Sequence, residues 1–153
     1  MSDKQWTRRA FLAATTTTAA MLAGGCATKV NKAKVVPGKA SPNEQIIVGL
    51  IGLGGRCQGI ADDCKTIPQM KVVSVCDCFM PRVNYFRNKV GKDLNWKGYE
   101  DFRKMIEQEK LDAVMVETTT HARAWIACHA MAMGMDAYIE KPMCLTIAEG
   151  RHM

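Results

Sequence analysis

Four short stretches hold side chains whose types and spacing could do chemistry. The first is "GLIGLGGRC", Gly49 to Cys57, where an apolar run ends in Gly52-Leu53-Gly54-Gly55 and continues into Arg56. A glycine at 52 permits a tight turn. One at 54 removes the Cβ that would keep a pyrophosphate off the backbone, and a helix beginning there offers free N–H groups to phosphate oxygens. A full G-x-G-x-x-G fingerprint would have a third glycine at 57, where this chain has Cys57. The second stretch, "VVSVCD", ends in Asp77, 23 residues beyond Gly54. That is close to the roughly 20 residues expected for an acid that accepts from adenosine ribose hydroxyls. Such an acid repels a 2′-phosphate and so favours NAD over NADP, although Arg82 a turn away softens the preference. The third, "VETTTHARA", offers Thr118 and Thr119 as hydroxyl donors and His121 in a first helical turn. The fourth, "YIEKPM", places Glu140 and Lys141 before Pro142. A lysine at the mouth of a dinucleotide crevice binds a hydroxyl or carbonyl oxygen and eases proton movement during hydride transfer. The plainer alternatives are a strand-end turn residue at Asp77, a helix cap at Thr120, and surface side chains at His121 and Lys141.

The elements that must position these residues follow from hydropathy pattern. "QIIVGLIGLG", "MKVVSVCD", "LDAVMVET" and "DAYIE" are apolar runs suited to buried strands. Between them "RCQGIADDCKTI", "MPRVNYFRNKVG", "YEDFRKMIEQEK" and "HARAWIACHAMAMG" read as helices, with Pro81 in a first turn and Gly91 and Gly134 past two helix ends. "TIAEGRHM" begins a further helix. Strand alternating with helix at this spacing predicts βαβ units, hence an α/β, doubly wound parallel sheet of Rossmann type. All four chemical stretches fall at strand carboxyl ends, where ligands of such sheets bind.

Residues 1–43 read differently. "TRRAFLA" carries the paired Arg8 and Arg9 ahead of a weakly apolar run that ends at Cys26, the layout of a twin-arginine (Tat) export signal. Four consecutive threonines and the short apolar length argue against a transmembrane span, which needs about 20 apolar residues. "LAGGC" loosely matches a lipobox, which would make Cys26 the site of a lipid anchor. Residues 27–43, with Pro37, Gly38 and Pro42, read as a linker. The expected organisation is a signal over 1–26, the linker, and a dinucleotide-binding domain over 44–153, with delivery to the periplasm or cell envelope of a bacterium. The chain's net charge of +6 resides wholly in residues 1–43, which hold seven basic residues and one acidic one. The remainder is neutral and has no basic surplus with which to attract nucleic acid. None of the seven cysteines forms a C-x-x-C pair or a zinc-like spacing with histidine, so no metal is expected and several read as small buried hydrophobes.

Taken in order, "IGLGGR", "VCD", "DFRKMI", "LDAVMVETTTHARA" and "YIEKP" resemble the N-terminal domain of the Gfo/Idh/MocA oxidoreductases over residues 44–153. The resemblance implies that Gly52, Leu53, Gly54, Gly55, Arg56 and Asp77 bind the NAD(P) cofactor, together with Thr118, Thr119 and Glu140. It implies that Lys141 works at the nicotinamide and substrate with His121 nearby. In the family's T-P-x-x-x-H pattern, Thr119 here replaces the proline and Arg123 stands where a second histidine usually falls. The resemblance further implies a second α/β domain that supplies most of the substrate pocket, and a homo-oligomeric whole protein. On that comparison this chain is cut off inside its last helix and would be inactive alone. Two classes of function stay open. One is an oxidoreductase acting on a sugar, polyol or related small molecule, or a glycoside hydrolase of the same superfamily that uses NAD and leaves it unchanged overall. The other is a non-catalytic nucleotide-binding module.

Overall fold

The computed structural model describes residues 44–153; the twin-arginine segment, Cys26 and the linker lie outside the described residues. Five parallel strands form one sheet in the order β3-β2-β1-β4-β5. They are β1 (Ile46–Ile51), β2 (Met70–Cys76), β3 (Lys97–Tyr99), β4 (Ala113–Val116) and β5 (Asp136–Ile139). The helices are α1 (Gly55–Thr66), α2 (Met80–Tyr85, continued by a π-helical turn over Phe86–Val90), α3 (Phe102–Gln108), α4 (Thr120–Ala132) and α5 (Ile147–His152). The doubly wound parallel sheet expected from the sequence is therefore the fold.

Both faces of the sheet are covered, which is why its central strands are apolar at successive positions rather than at alternate ones. On one face Val48, Leu50 and Val75 pack against Leu53, Cys57 and Ala61 of the turn and α1, and against Val83, Phe86 and Trp96. On the other, Ile51, Cys76, Val114 and Val116 pack against Phe102, Met105 and Ile106 of α3 and Ile126 and Ala130 of α4. Burying side chains of this size contributes roughly 1.5–3 kcal/mol each.

The chain leaves β1 toward β2 and β3 on one side and reaches β4 and β5 on the other. The carboxyl ends of β1 and β4, which pair with Ile51 opposite Val116, thus flank the switch point of the topology. That is where an open α/β sheet leaves a crevice.

Three details lie outside the pattern reading. "KGY" forms an edge strand, β3, that its polar composition conceals. Tyr99 ends that strand instead of starting a helix, and α3 begins at Phe102 after the side chain of Asp101 accepts from Arg103 N at 2.9 Å. In the methionine-rich stretch Met131 and Met133 are exposed, and Met135 alone packs against the core.

Candidate functional site

Gly52 is the pivot of the site. Its φ of +90° lies in the region that only glycine adopts freely, and a Cβ there would meet Thr118 N at 2.6 Å and the Glu117 carbonyl carbon at 2.8 Å. The turn after β1 therefore runs hard against the end of β4. Gly54 and Gly55 differ: no protein atom lies within 4 Å of the Cβ either would carry. Their open side faces outward, above the N-terminus of α1. The first turn of α1 has no acidic residue, and Gly54 supplies no side-chain cap. The leading N–H groups of a 12-residue helix are thus left without a side-chain acceptor.

Asp77 fixes this turn from the end of β2. Its Oδ2 accepts from Leu53 N at 2.9 Å and its Oδ1 from Phe79 N at 2.9 Å, and Arg82 Nη1 pairs with Oδ2 at 3.2 Å. The carboxylate is 7% exposed. The Cys78 thiol also reaches Oδ1 at 3.9 Å, and Asp77 lines a cleft of about 410 Å³. The same cleft is walled by Ile51, Gly52, Gly54, Thr118, Thr119, His121 and Trp125. A second hollow of about 380 Å³, bounded by Leu53, Gly54, Gly55, Phe79 and Arg82, lies on the other side of the glycine turn.

Thr119 is the N-cap of α4 by position, but its side chain makes no capping bond; its Oγ1 bonds His121 Nδ1 at 3.0 Å instead. The helix cap at Thr120 is therefore not realised, since Thr120 is already the first helical residue. The Thr118 hydroxyl is buried and without a partner. Cys57, at the third fingerprint position, is fully buried, and its thiol is pushed well above the ordinary range by burial first and Glu117 second. Burial likewise pushes Cys76 up to about 12. Both act as packing residues, and a small side chain at 57 preserves the close approach of helix to strand that glycine usually provides.

The segment after β5 divides. Glu140 turns inward, 7% exposed, and pairs with Arg56 Nε at 3.2 Å, tying β5 to the start of α1. Lys141 is exposed and is not part of the cleft wall; the Lys141–Pro142 bond is cis. Pro142 O accepts from Arg123 Nη1 at 2.8 Å.

Residues 46–153 match the family described as "Oxidoreductase family, NAD-binding Rossmann fold", Gfo/Idh/MocA. The chain belongs to the Gfo/Idh/MocA oxidoreductase family. Among its relatives, a glycosyl hydrolase family 109 protein of Porphyromonas gingivalis is 32% identical over 112 residues, which covers 69% of this chain and 24% of that protein. A glycosyl hydrolase family 109 protein 2 of a Shewanella species is 28% identical and covers 93% of this chain and 35% of its own length. Solved structures with the same fold include the WlbA dehydrogenase of Bordetella pertussis in complex with NADH and UDP-GlcNAcA. It has a TM-score of 0.66 at 21% identity and covers 71% of this chain and 32% of its own. Scyllo-inositol dehydrogenase of Lactobacillus casei, with NAD(H) and scyllo-inositol, has a TM-score of 0.63 at 24% identity over 71% of this chain and 31% of that one. The chain thus spans about a quarter to a third of the length of these relatives.

This Gfo/Idh/MocA domain also contains a residue that sequence reasoning passed over. Glu117 follows β4, is 7% exposed, and neither carboxylate oxygen has a partner. Its carboxyl is pushed up to about 7, by burial first and by Glu140 second, against the pull of Arg56 and Arg123. Arg123, noted only as a departure from the family pattern, is buried and braces the segment that carries Lys141. The signal for Glu117 was a charged residue continuing an otherwise apolar strand run. No helix among the described residues is long and apolar enough to cross a membrane, and no group of three or more His, Cys, Asp or Glu among them could hold a metal ion.

Proposed function

We propose that this domain is the dinucleotide-binding part of an NAD-dependent enzyme that oxidises a hydroxylated carbohydrate or related compound. The observation that carries the reading is the cradle at the switch point. A left-handed Gly52 turn is pinned by Asp77, with open backbone at Gly54 and Gly55 leading into a helix end without a side-chain cap. These residues fit a dinucleotide: the N–H groups of α1 suit a diphosphate, and the Asp77 carboxylate at the cleft wall suits a ribose hydroxyl. An anionic Asp77 with two fixed backbone donors supports NAD over NADP. When bound, NAD supplies a two-electron acceptor beside the substrate.

The chain's own residues then have separate tasks. Thr118 and His121 line the cleft and offer hydroxyl and imidazole groups to whatever enters it. Lys141 has no ion-pair partner among the described residues, so its ammonium is available to hold a substrate oxygen and pass a proton. Arg56 holds the Glu140 side chain before it, and Arg123 the Pro142 carbonyl after it.

A second reading is favoured by the relatives named glycosyl hydrolase family 109 proteins. In it the same cradle serves a glycoside hydrolase that ends its cycle with NAD unchanged. With a complete enzyme, net NADH formation supports the dehydrogenase, and sugar release without NADH supports the hydrolase. The paired Arg8 and Arg9 support export of the folded protein to the cell envelope.

Binding is tested on the full chain by titrating NAD and following tryptophan fluorescence. Trp125 is 56% exposed on the cleft wall, whereas Trp96 is buried in the opposite core. The expected result is a saturable change that disappears in Trp125→Phe. A flat titration, with the chain folded, would remove the dinucleotide reading.

A further inference from the structure

The cluster behind the glycine turn contains more acid than it can neutralise. Val116 stands opposite Ile139 in the β4–β5 register, so Glu117 and Glu140 leave adjacent strand ends side by side. Glu117 N donates to Ile51 O at 2.7 Å and Glu140 N to Val116 O at 3.1 Å, which fixes both backbones. Both residues are more than nine-tenths buried. Facing them are Arg56 from α1 and Arg123 from α4, with the thiols of Cys57 and Cys64 on α1 further off. Arg56 is engaged by Glu140 at 3.2 Å, and one Arg123 nitrogen is engaged by Pro142 O at 2.8 Å. Glu117 is left with both oxygens unpartnered.

Two buried carboxyls this close do not both ionise without a positive neighbour. Here the main neighbour is Arg56, and its ion pair with Glu140 is open to solvent on the arginine side. Its side chain is 61% exposed, and it is the second residue of α1, beside the N–H groups that form the phosphate cradle. An anionic diphosphate on that cradle competes with Glu140 for the guanidinium. We propose that seating an anionic dinucleotide on the turn draws Arg56 away from Glu140, and that Glu117 takes up one proton from solvent in response. Binding and protonation are then two faces of one equilibrium. The inference rests on the dinucleotide reading above. It adds that the cofactor site is proton-coupled, which the family match does not supply. In the unliganded domain the Glu117 carboxyl lies at about 7, held there by burial and by Glu140, so the uptake falls in the neutral range.

The linkage fixes the sign. A group that gains proton affinity on binding makes the ligand bind more tightly at low pH, and the effect grows as pH rises past the unliganded pKa. NAD carries no group that titrates near neutrality. A one-unit rise in the pKa of Glu117 on binding makes NAD bind about sixfold more weakly at pH 8.5 than at pH 6.5. The test is NAD titration of the full chain over that range, with proton uptake counted by calorimetry in two buffers of different ionisation enthalpy. Wild type is expected to show the weakening and an uptake that is a substantial fraction of one proton at pH 7.5. Glu117→Gln, nearly isosteric, is expected to bind NAD with a flat profile. His121 also lines the cleft and stays intact in that variant, so a pH dependence that survives the substitution overturns the assignment to Glu117. Saturable binding by wild type with no proton uptake overturns the coupling while leaving the dinucleotide reading in place. No binding at any pH removes both. The buffer comparison needs wild type alone, so it decides the matter even where the variant does not fold.

Discussion

Gly52 and Gly54 are two residues apart, and the structure gives their alanine variants opposite consequences. At Gly52 a methyl group would sit 2.6 Å from Thr118 N and 2.8 Å from the Glu117 carbonyl carbon, both backbone atoms of the neighbouring strand end. Those atoms cannot rotate away, and β1 and β4 would have to separate. The left-handed backbone costs about 1–2 kcal/mol for a residue with a Cβ, and overpacking of a fixed neighbour about 1–3 kcal/mol more. A total of about 2–5 kcal/mol is a large share of the roughly 5–15 kcal/mol that holds a domain folded. At Gly54 the φ of −77° is ordinary, and nothing lies within 4 Å of the added methyl. The stability change expected there is within about 1 kcal/mol, the scale of an N-cap Gly→Ala exchange. That same methyl would occupy the side from which a pyrophosphate must approach. The assay is urea denaturation followed by circular dichroism, paired with NAD titration of each variant that remains folded. Gly52→Ala should lose stability. Gly54→Ala should keep its stability and lose at least about tenfold in NAD affinity, which is one clash of about 1.4 kcal/mol. A Gly54→Ala variant that binds NAD as wild type does would refute the placement of the diphosphate over this turn. A Gly52→Ala variant of unchanged stability would refute the geometry of the turn itself.

Two further predictions follow from buried carboxyls. Asp77→Ala removes the acceptor for Leu53 N and Phe79 N and releases Arg82, so it should cost stability and weaken NAD far more than NADP; equal losses for the two cofactors would sink the ribose assignment. Glu117 has its folded-state carboxyl raised to about 7 from 4.5, so the folded chain holds a proton that the unfolded chain releases. This raised acid lowers stability as pH climbs from about 4.5 to 7 and imposes its full cost above 7, on the order of 3 kcal/mol. Glu117→Gln should therefore gain stability relative to wild type at pH 8 but not at pH 4.5, measured by denaturant midpoints, and an equal difference at both pH values would contradict the buried-acid account.

The fold was legible in the sequence because its signals were redundant. Two-faced apolar strands, glycines past helix ends and Pro81 in a first turn all pointed to one parallel sheet, and a local rule that failed was outvoted. β3 escaped because a three-residue edge strand with Lys97 and Gly98 has almost no pattern to read. The site was legible where chemistry forces a residue type: Gly52 by its backbone, Asp77 by its spacing. Even there spacing accounts for only part of what Asp77 does, since its bond to Leu53 N joins residues brought together by the crossover. Glu117 was not legible. A charged residue after an apolar strand usually turns to solvent, and only the adjacent ends of β1, β4 and β5 bury this one.

That burial bears on how the segment after β5 works. Lys141 makes no bond that would fix it, yet its neighbours on both sides are fixed. Glu140 is held by Arg56 from α1, and Pro142 O by Arg123 from α4. The two arginines come from helices on opposite faces of the sheet, so the loop is clamped across the strand ends rather than by its own contacts. The clamp is asymmetric. Arg123 is buried, whereas Arg56 stands at the start of α1 with most of its side chain in solvent. A ligand that engages Arg56 would release the Glu140 side of the loop and leave the Pro142 side braced. The lysine would then pivot about a fixed point. One ion pair thereby ties the start of α1 to the segment that carries Lys141, with the buried Glu117 carboxyl beside it.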